Sequence, residues 1–375
     1  MYTEHKLIYA DARELGHLKD NSIDLVVTSP PYPMIKMWDN LFTSLNPDIG
    51  KSLSKDDYFS SFELMHKELD KVWTELYRVM KNGSFVCINI GDATRTIKDR
   101  FQLYANHSRI QTKFFEIGFD VLPVILWRKQ TNAPNKFMGS GMLPAGAYVT
   151  LEHEYILIFR KGNKRFFTSP DEKLNRMESA LFWEERNMWY SDIWEDLKGT
   201  KQNTNDKELR QRSAAYPFLL PYRLINMYSV FGDTILDPFL GTGTSTFAAM
   251  ACGRNSIGYE IDSSFSKSIH NKISGEILGL NNYNLQRINN HIAFVESFGK
   301  EENRLKYINE YFGFPVITKQ ETKMKLVFME FIEEIQANVY RTKYIDDKHI
   351  QNTGIKSLSI DYFQKVNTTQ LKIAF

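Results

Sequence analysis

Short apolar runs alternate along the chain with stretches whose apolar residues recur every three to four positions. Lys6–Tyr9, Ile23–Val27, Ser84–Ile90, Val121–Trp127, His153–Phe159, Asp233–Phe239 and Ser256–Ile261 read as strands, because they are short, apolar and bounded by turn-forming residues. Phe59–Met80 places Leu69, Val72, Trp73, Leu76 and Val79 on one helical face. It runs into Lys81-Asn82-Gly83, a basic turn and a glycine that predict the helix end. Gln111–Gly118, Pro217–Phe231 and Thr244–Cys252 complete the predicted helices. Strand and helix in alternation predict an α/β fold around a mostly parallel twisted sheet.

Three stretches break the pattern. Pro33–Asp56 reads as loop, Gln130–Ala147 is rich in Gly, Pro, Asn and Met, and Gly162–Arg212 is charged with Trp183, Trp189, Tyr190 and Trp194 interleaved. Beyond about residue 275 the alternation gives way to helical patterning, apart from one apolar run at Phe314–Thr318. The expected divisions are a half-domain over 1–160, an insertion over 161–212, a second half over 213–275 and a helical accessory region over 276–375.

Composition changes this picture little. The 375 residues are 42% apolar and 14% aromatic, enough for one large catalytic domain with an accessory region. A net charge of +2 sets up no global basic field, so any nucleic-acid surface must be local. Cys87 and Cys252 both fall in or beside apolar segments and read as reduced, buried thiols. No apolar run reaches the ~18 residues a bilayer span needs, and no signal peptide or lipid motif is recognisable, so a cytoplasmic protein without membrane partners is expected.

Two motifs carry candidate chemistry. The strand Ile23–Val27 ends in Thr28-Ser29-Pro30-Pro31-Tyr32. Two prolines cannot continue a ladder, and they hold a hydroxyl, free carbonyls and a ring rigidly at a strand end. The second motif is DPFLGTGT, at residues 237–244, between a strand and a helix. Its glycines let the backbone approach a ligand closely. Seventeen residues after Gly243, Glu260 ends the next strand, where a carboxylate can accept both hydroxyls of a ribose. Thr246 stands where a dinucleotide fingerprint needs a third glycine, and no Walker lysine follows. A nucleoside cofactor without a pyrophosphate, such as S-adenosyl-L-methionine, meets these limits.

SPPY, DPFLGTGT and IGYEID together resemble the amino-group DNA methyltransferases. The tetrapeptide precedes the glycine loop by about two hundred residues, the permuted order of the β group found in restriction–modification systems. The resemblance spans about residues 5–265. It implies a Rossmann-like fold of the S-adenosylmethionine-dependent methyltransferase type, with irregular DNA-recognition insertions. It gives Ser29, Pro30, Pro31 and Tyr32 the catalytic role. It gives Asp237, Phe239, Gly241 and Gly243 the methionine part of the cofactor, and Glu260 the ribose. Asp11 matches the acid of a Gly-Asp pair near the adenine, although Ala10 precedes it here. Tyr216-Pro217, after Ser213-Ala214-Ala215, stands where the family has Phe-Pro in its lead-in to the cofactor site. Ser at the first tetrapeptide position is typical of cytosine-N4 enzymes, and Asp or Asn of adenine-N6 enzymes.

The residues account for such a reaction. An exocyclic amine is a poor nucleophile, because its lone pair is delocalised into the ring. The Ser29 hydroxyl and the Pro30 carbonyl can each accept one N–H, favouring a pyramidal nitrogen, while Tyr32 offers a stacking face worth ~1–3 kcal/mol. No metal and no cysteine nucleophile is required. The geometry demands a base flipped out of double-stranded DNA. Trp38 and Tyr155 are expected to line the base pocket, and Lys164, Arg165 and Arg186 to contact phosphates, with Lys129 and Lys136 in a second arm. A cognate restriction endonuclease is the implied partner, and a homodimer is left open. The competing readings are an adenine-N6 enzyme, an RNA methyltransferase, a nucleotide-binding protein without turnover and, more distantly, a nicotinamide dehydrogenase.

Overall fold

The structure is a computed structural model that describes residues 1–97, 100–129, 146, 148–198, 216–273, 275, 277–298 and 305–346. Its strands are β1 (Tyr2–Tyr9), β2 (Ile23–Thr28), β3 (Met80–Ile90), β4 (Ala93–Ile97), β5 (Arg100–Tyr104), β6 (Phe119–Arg128), β7 (His153–Lys161), β8 (Ile193–Trp194), β9 (Thr234–Asp237), β10 (Asn255–Glu260), β11 (Tyr307–Ile308), β12 (Pro315–Val316), β13 (Met329–Gln336) and β14 (Val339–Tyr344). Ten of them form one sheet in the order β13-β14-β1-β10-β9-β2-β3-β7-β6-β8. The central strands β1, β10, β9, β2 and β3 are parallel neighbours, and β7 and β6 continue the sheet, β7 antiparallel to β3 and β6 antiparallel to β7.

All six residues of β2 are buried, which is why it reads as one continuous apolar run rather than an alternation. Leu25 and Val27 face a core shared with the helices Leu219–Tyr228, Thr244–Cys252 and Phe265–Ile273. Val26, with Val86 and Ile88 of β3, faces the opposite core under the helices Tyr58–Val79 and Asn106–Ile117. A three-layer α/β/α body results. Both cysteines are free and buried, and burial pushes both thiols up, Cys252 to about 11. Among the described residues no helix is long and apolar enough to cross a membrane.

Four expectations change on contact with the fold. The helix Tyr58–Val79 does not end in a glycine cap; Met80 turns at once into β3. Gly83 (φ +87) serves another purpose, since a Cβ there would lie 2.7 Å from the Arg165 backbone nitrogen. Pro33–Asp56 is not loop but holds the helices Asp39–Leu45 and Pro47–Ser54, which bury Phe42 and Ile49. Asn46 caps the second by accepting from the Asp48 N–H at 3.1 Å, with Pro47 at its first position. Each helix is too short to show a period.

The third change concerns the insertion. As far as residue 198 it is a layer of the main body: β8 extends the sheet beside β6, and Trp189 and Trp194 enter the same core as Leu25. The Trp127 indole, buried on β6, donates to the Leu197 carbonyl at 2.9 Å. Residues 199–212 of that segment, like Gln130–Pro144, lie outside the described residues. The fourth concerns the C-terminal region, where among the described residues the α-helix Ile277–Phe298 is followed by strands. The hairpin β13–β14 follows and adds antiparallel to β1, with Tyr2 opposite Lys343. Tyr340, Thr342 and Tyr344 alternate inward on β14, a period-two signal that the flanking charges obscure in the sequence. The apolar run Phe314–Thr318 contains β12.

Candidate active site

Four parallel strands deliver their carboxyl ends to one place. β1 leads into Ala10–Arg13, β2 into the tetrapeptide, β9 into the glycine loop, and β10 ends at Glu260. In open α/β sheets this edge is where ligands bind. β2 and β9 are direct neighbours, with Leu25 opposite Ile235, so residues some two hundred positions apart become adjacent.

Asp237, the last residue of β9, is the joint between them. One carboxylate oxygen accepts from the Thr28 hydroxyl at 2.6 Å and from the Phe239 N–H at 3.0 Å. The other accepts from the Tyr216 hydroxyl at 3.4 Å and from the Ser245 hydroxyl. Burial pushes the Asp237 carboxyl above its ordinary value, and these donors oppose that rise. The carboxylate is thus spent inside the protein, fixing the tetrapeptide to the glycine loop. The sequence resemblance placed it against a cofactor. In this structure Asp237 lies just off the cavity lining, joined to both motifs that form it.

The wall encloses a cavity of about 810 Å³. Ser29, Pro30, Pro31 and Trp38 line one side, and Phe239, Gly241 and Glu260 another, with Asp11 and Tyr216 between. Gly241 has φ +53, and a Cβ there would meet nothing nearer than 4.0 Å, so its bare backbone faces open space. Gly243, at φ +84, stands behind: a Cβ would come within 3.2 Å of Ile269 and 3.3 Å of Phe247. Its missing side chain lets the helix Phe265–Ile273 close onto the loop. Glu260 accepts from the Gly241 N–H at 2.7 Å and the Asp262 N–H at 2.9 Å. Burial raises the Glu260 pKa, with Asp237 and Asp262 adding to the rise. A buried carboxylate of this kind gains from further hydroxyl donors. At Asp11, burial works against ionisation, but Arg13 donates from its backbone at 2.9 Å and its Nε at 2.8 Å and holds the pKa below the usual value. Arg13 reaches on to Glu68 at 2.6 Å, a connection with no sequence signal.

Beyond the tetrapeptide, Ile35 N–H donates to the Tyr32 carbonyl at 3.2 Å across Pro33-Met34, and Met34 has φ +67. Proline second and a positive φ third are the marks of a type II turn. Asn106 locks it, donating to the Pro33 carbonyl at 3.1 Å and the Gly91 carbonyl at 3.0 Å.

Other expected residues lie elsewhere. The Tyr32 ring is not on the cavity wall; Gly91 sits beside it, and its hydroxyl meets Glu154 at 3.0 Å. Tyr155 stacks on His107 at 3.9 Å rather than lining the cavity, and His107 is paired with Asp92 at 2.8 Å. Pro217 opens the turn before the helix Leu219–Tyr228 and is not on the wall. Arg165 pairs with Asp233 at 2.7 Å, at the amino end of β9, so Arg165 and Lys164 sit at the opposite edge of the sheet from the cavity. Arg186 is exposed on the helix Trp183–Trp189, bonded to Asn187. Lys136 and Ser213–Ala215 lie outside the described residues. Asn89 and Glu154, to which the sequence assigned no role, meet behind Tyr32; the only signal was a polar residue within each of two sheet strands.

A glycine loop, a terminal carboxylate and a rigid tetrapeptide around one cavity on a parallel sheet define a nucleoside-cofactor transferase. The chain belongs to the DNA methylase family, whose model matches residues 23–271. It is 52% identical over 345 residues to the Type II methyltransferase M.MthZI of Methanothermobacter thermautotrophicus, covering 92% of this chain and 96% of that one. It is also 52% identical over 282 residues to the Type II methyltransferase M.MjaI of Methanocaldococcus jannaschii, covering 72% and 91%. Among solved structures it resembles a candidate DNA modification methylase of Thermus thermophilus, complexed with S-adenosyl-L-methionine. That likeness has 30% identity and a TM-score of 0.56, and covers 72% of this chain and 94% of that chain.

Proposed function

We propose that this chain uses S-adenosyl-L-methionine to methylate the exocyclic N4 amine of a cytosine flipped from a short duplex DNA sequence. The observation that carries the proposal is the single cavity walled by both Ser29-Pro30-Pro31 and Gly241 with Glu260. The cavity fits the cofactor: Glu260 suits the ribose hydroxyls, the open side of Gly241 admits close approach, and Asp11 with Arg13 offers polar contacts toward the adenine. The cofactor supplies a methyl group on a positively charged sulfur. The chain's own part is to hold the amine. The Ser29 hydroxyl and the Pro30 carbonyl accept its two hydrogens, so the nitrogen lone pair is directed into the cavity. Among the described residues no main-chain donor occupies the Pro30 carbonyl. Serine is too weak a base to take the proton outright, which passes to water after transfer. Unstacking the base costs a few kcal/mol, and base contacts in the pocket offset it.

Incubating mixed-sequence duplexes with labelled cofactor, then digesting to nucleosides, tests this directly. N4-methylcytosine is expected. N6-methyladenine would overturn the choice of base, and label in neither would overturn the enzyme reading.

Cofactor affinity should depend on pH through Glu260. Its raised folded-state pKa means that the carboxylate is protonated at a pH above the ordinary carboxylate value. Affinity should therefore fall as pH drops into that window. Calorimetry on Glu260→Gln should give weaker binding, roughly tenfold, with a shallower pH profile. An unchanged profile would remove Glu260 from the cofactor site.

A further inference from the structure

Behind the tetrapeptide lies a buried polar cluster that the reaction as described does not use. The Ser29 hydroxyl lies 3.3 Å from the Tyr32 hydroxyl, which lies 3.0 Å from Glu154 Oε2. Asn89 Nδ2 donates to both, at 2.9 Å to Tyr32 and 2.7 Å to Glu154. Lys129 Nζ binds the other Glu154 oxygen. Asn89 is 2% exposed and the Glu154 side chain 13%. Gly91 backs the cluster: a Cβ there would lie 2.9 Å from the Tyr32 ring and 3.3 Å from Glu154 Cγ.

The order of donors follows from the ends. Glu154, charged against Lys129, only accepts, and Asn89 Nδ2 only donates. The Tyr32 hydrogen therefore goes to Glu154, and one Tyr32 lone pair takes the Asn89 hydrogen. The remaining Tyr32 lone pair accepts from Ser29. The serine hydrogen is thereby turned away from the cavity, and its lone pairs are left facing it. A serine free to rotate would also present its hydrogen, which repels the target N–H.

We infer that Glu154 is a positioning residue for methyl transfer: acting through the Tyr32 hydroxyl, it fixes the Ser29 hydroxyl as an acceptor toward the target amine. The inference rests on the proposed reaction. It also gives Tyr32, whose ring lies off the cavity wall, the part of link between Glu154 and Ser29.

The test is steady-state kinetics on the full chain with duplex DNA. Glu154→Ala should lower kcat about tenfold, the scale of one hydrogen bond to a charged group, with KM for DNA and cofactor affinity unchanged. Glu154→Gln, whose amide oxygen still accepts from Tyr32, should recover kcat to within about threefold of wild type. Tyr32→Phe should lower kcat like Glu154→Ala, and adding Glu154→Ala to it should cost nothing more. Full kcat in Glu154→Ala, or an equal further loss in the Tyr32→Phe background, would overturn the inference while leaving the reaction intact. A wild-type chain that methylates no DNA would overturn the reaction and the inference with it.

Discussion

Ser29→Ala should cut single-turnover methyl transfer by about a hundredfold, close to 2.7 kcal/mol of barrier, while cofactor and DNA affinities stay near wild type. The asymmetry is the point. Ser29 lines the cavity at the end of a fully buried strand, and its place is held by its neighbours rather than by its own hydroxyl. Thr28 is tied to Asp237, and Tyr32 is tied to Glu154 and Asn89. Removing the hydroxyl therefore deletes one acceptor without releasing the loop. What is lost is an interaction that gains strength only as the amine becomes pyramidal. Rapid-quench measurement with saturating cofactor isolates that step. Wild-type turnover in the variant would reject the serine as a reacting-group contact.

Asp237→Ala should do the opposite, lowering the unfolding free energy by about 2–4 kcal/mol and cofactor affinity by at least roughly tenfold. The side chain accepts from Thr28, Phe239, Tyr216 and Ser245, and Asp237 is 2% exposed. Its removal leaves several buried donors without a partner and separates β2 from the glycine loop. Asp237→Asn keeps the shape, yet it turns an N–H₂ toward donors on one side and should be nearly as damaging. Denaturant unfolding and calorimetry read the two effects separately. A variant with native stability and native affinity would show that the joint between the motifs is dispensable.

The central strands β2 and β9 were legible because they are buried almost throughout and so announce themselves as short apolar runs. The tetrapeptide and the glycine loop were legible because proline and glycine restrict or free the backbone in ways few other residues do. Glu260 was legible from its place at a strand end. Two-residue strands, seven-residue helices and a charged edge hairpin were not, since none is long enough or apolar enough to impose a period. Trp189 and Trp194 were legible as aromatic but not as members of the main core, because sequence cannot say which face a tryptophan will find.

Local composition thus determined the alternating α/β plan and the two motifs, since backbone freedom and strand burial are properties of a few adjacent residues. Only the tertiary structure decided that β2 and β9 lie side by side, that Asp237 ties Thr28 to the glycine loop, and that Arg165 pairs with Asp233 at the far edge. It also decided that Asn89 and Glu154 stand behind Tyr32. Those are pairings across large separations in the chain, and a lone polar residue carries no mark of its partner until the sheet brings the two within hydrogen-bond reach.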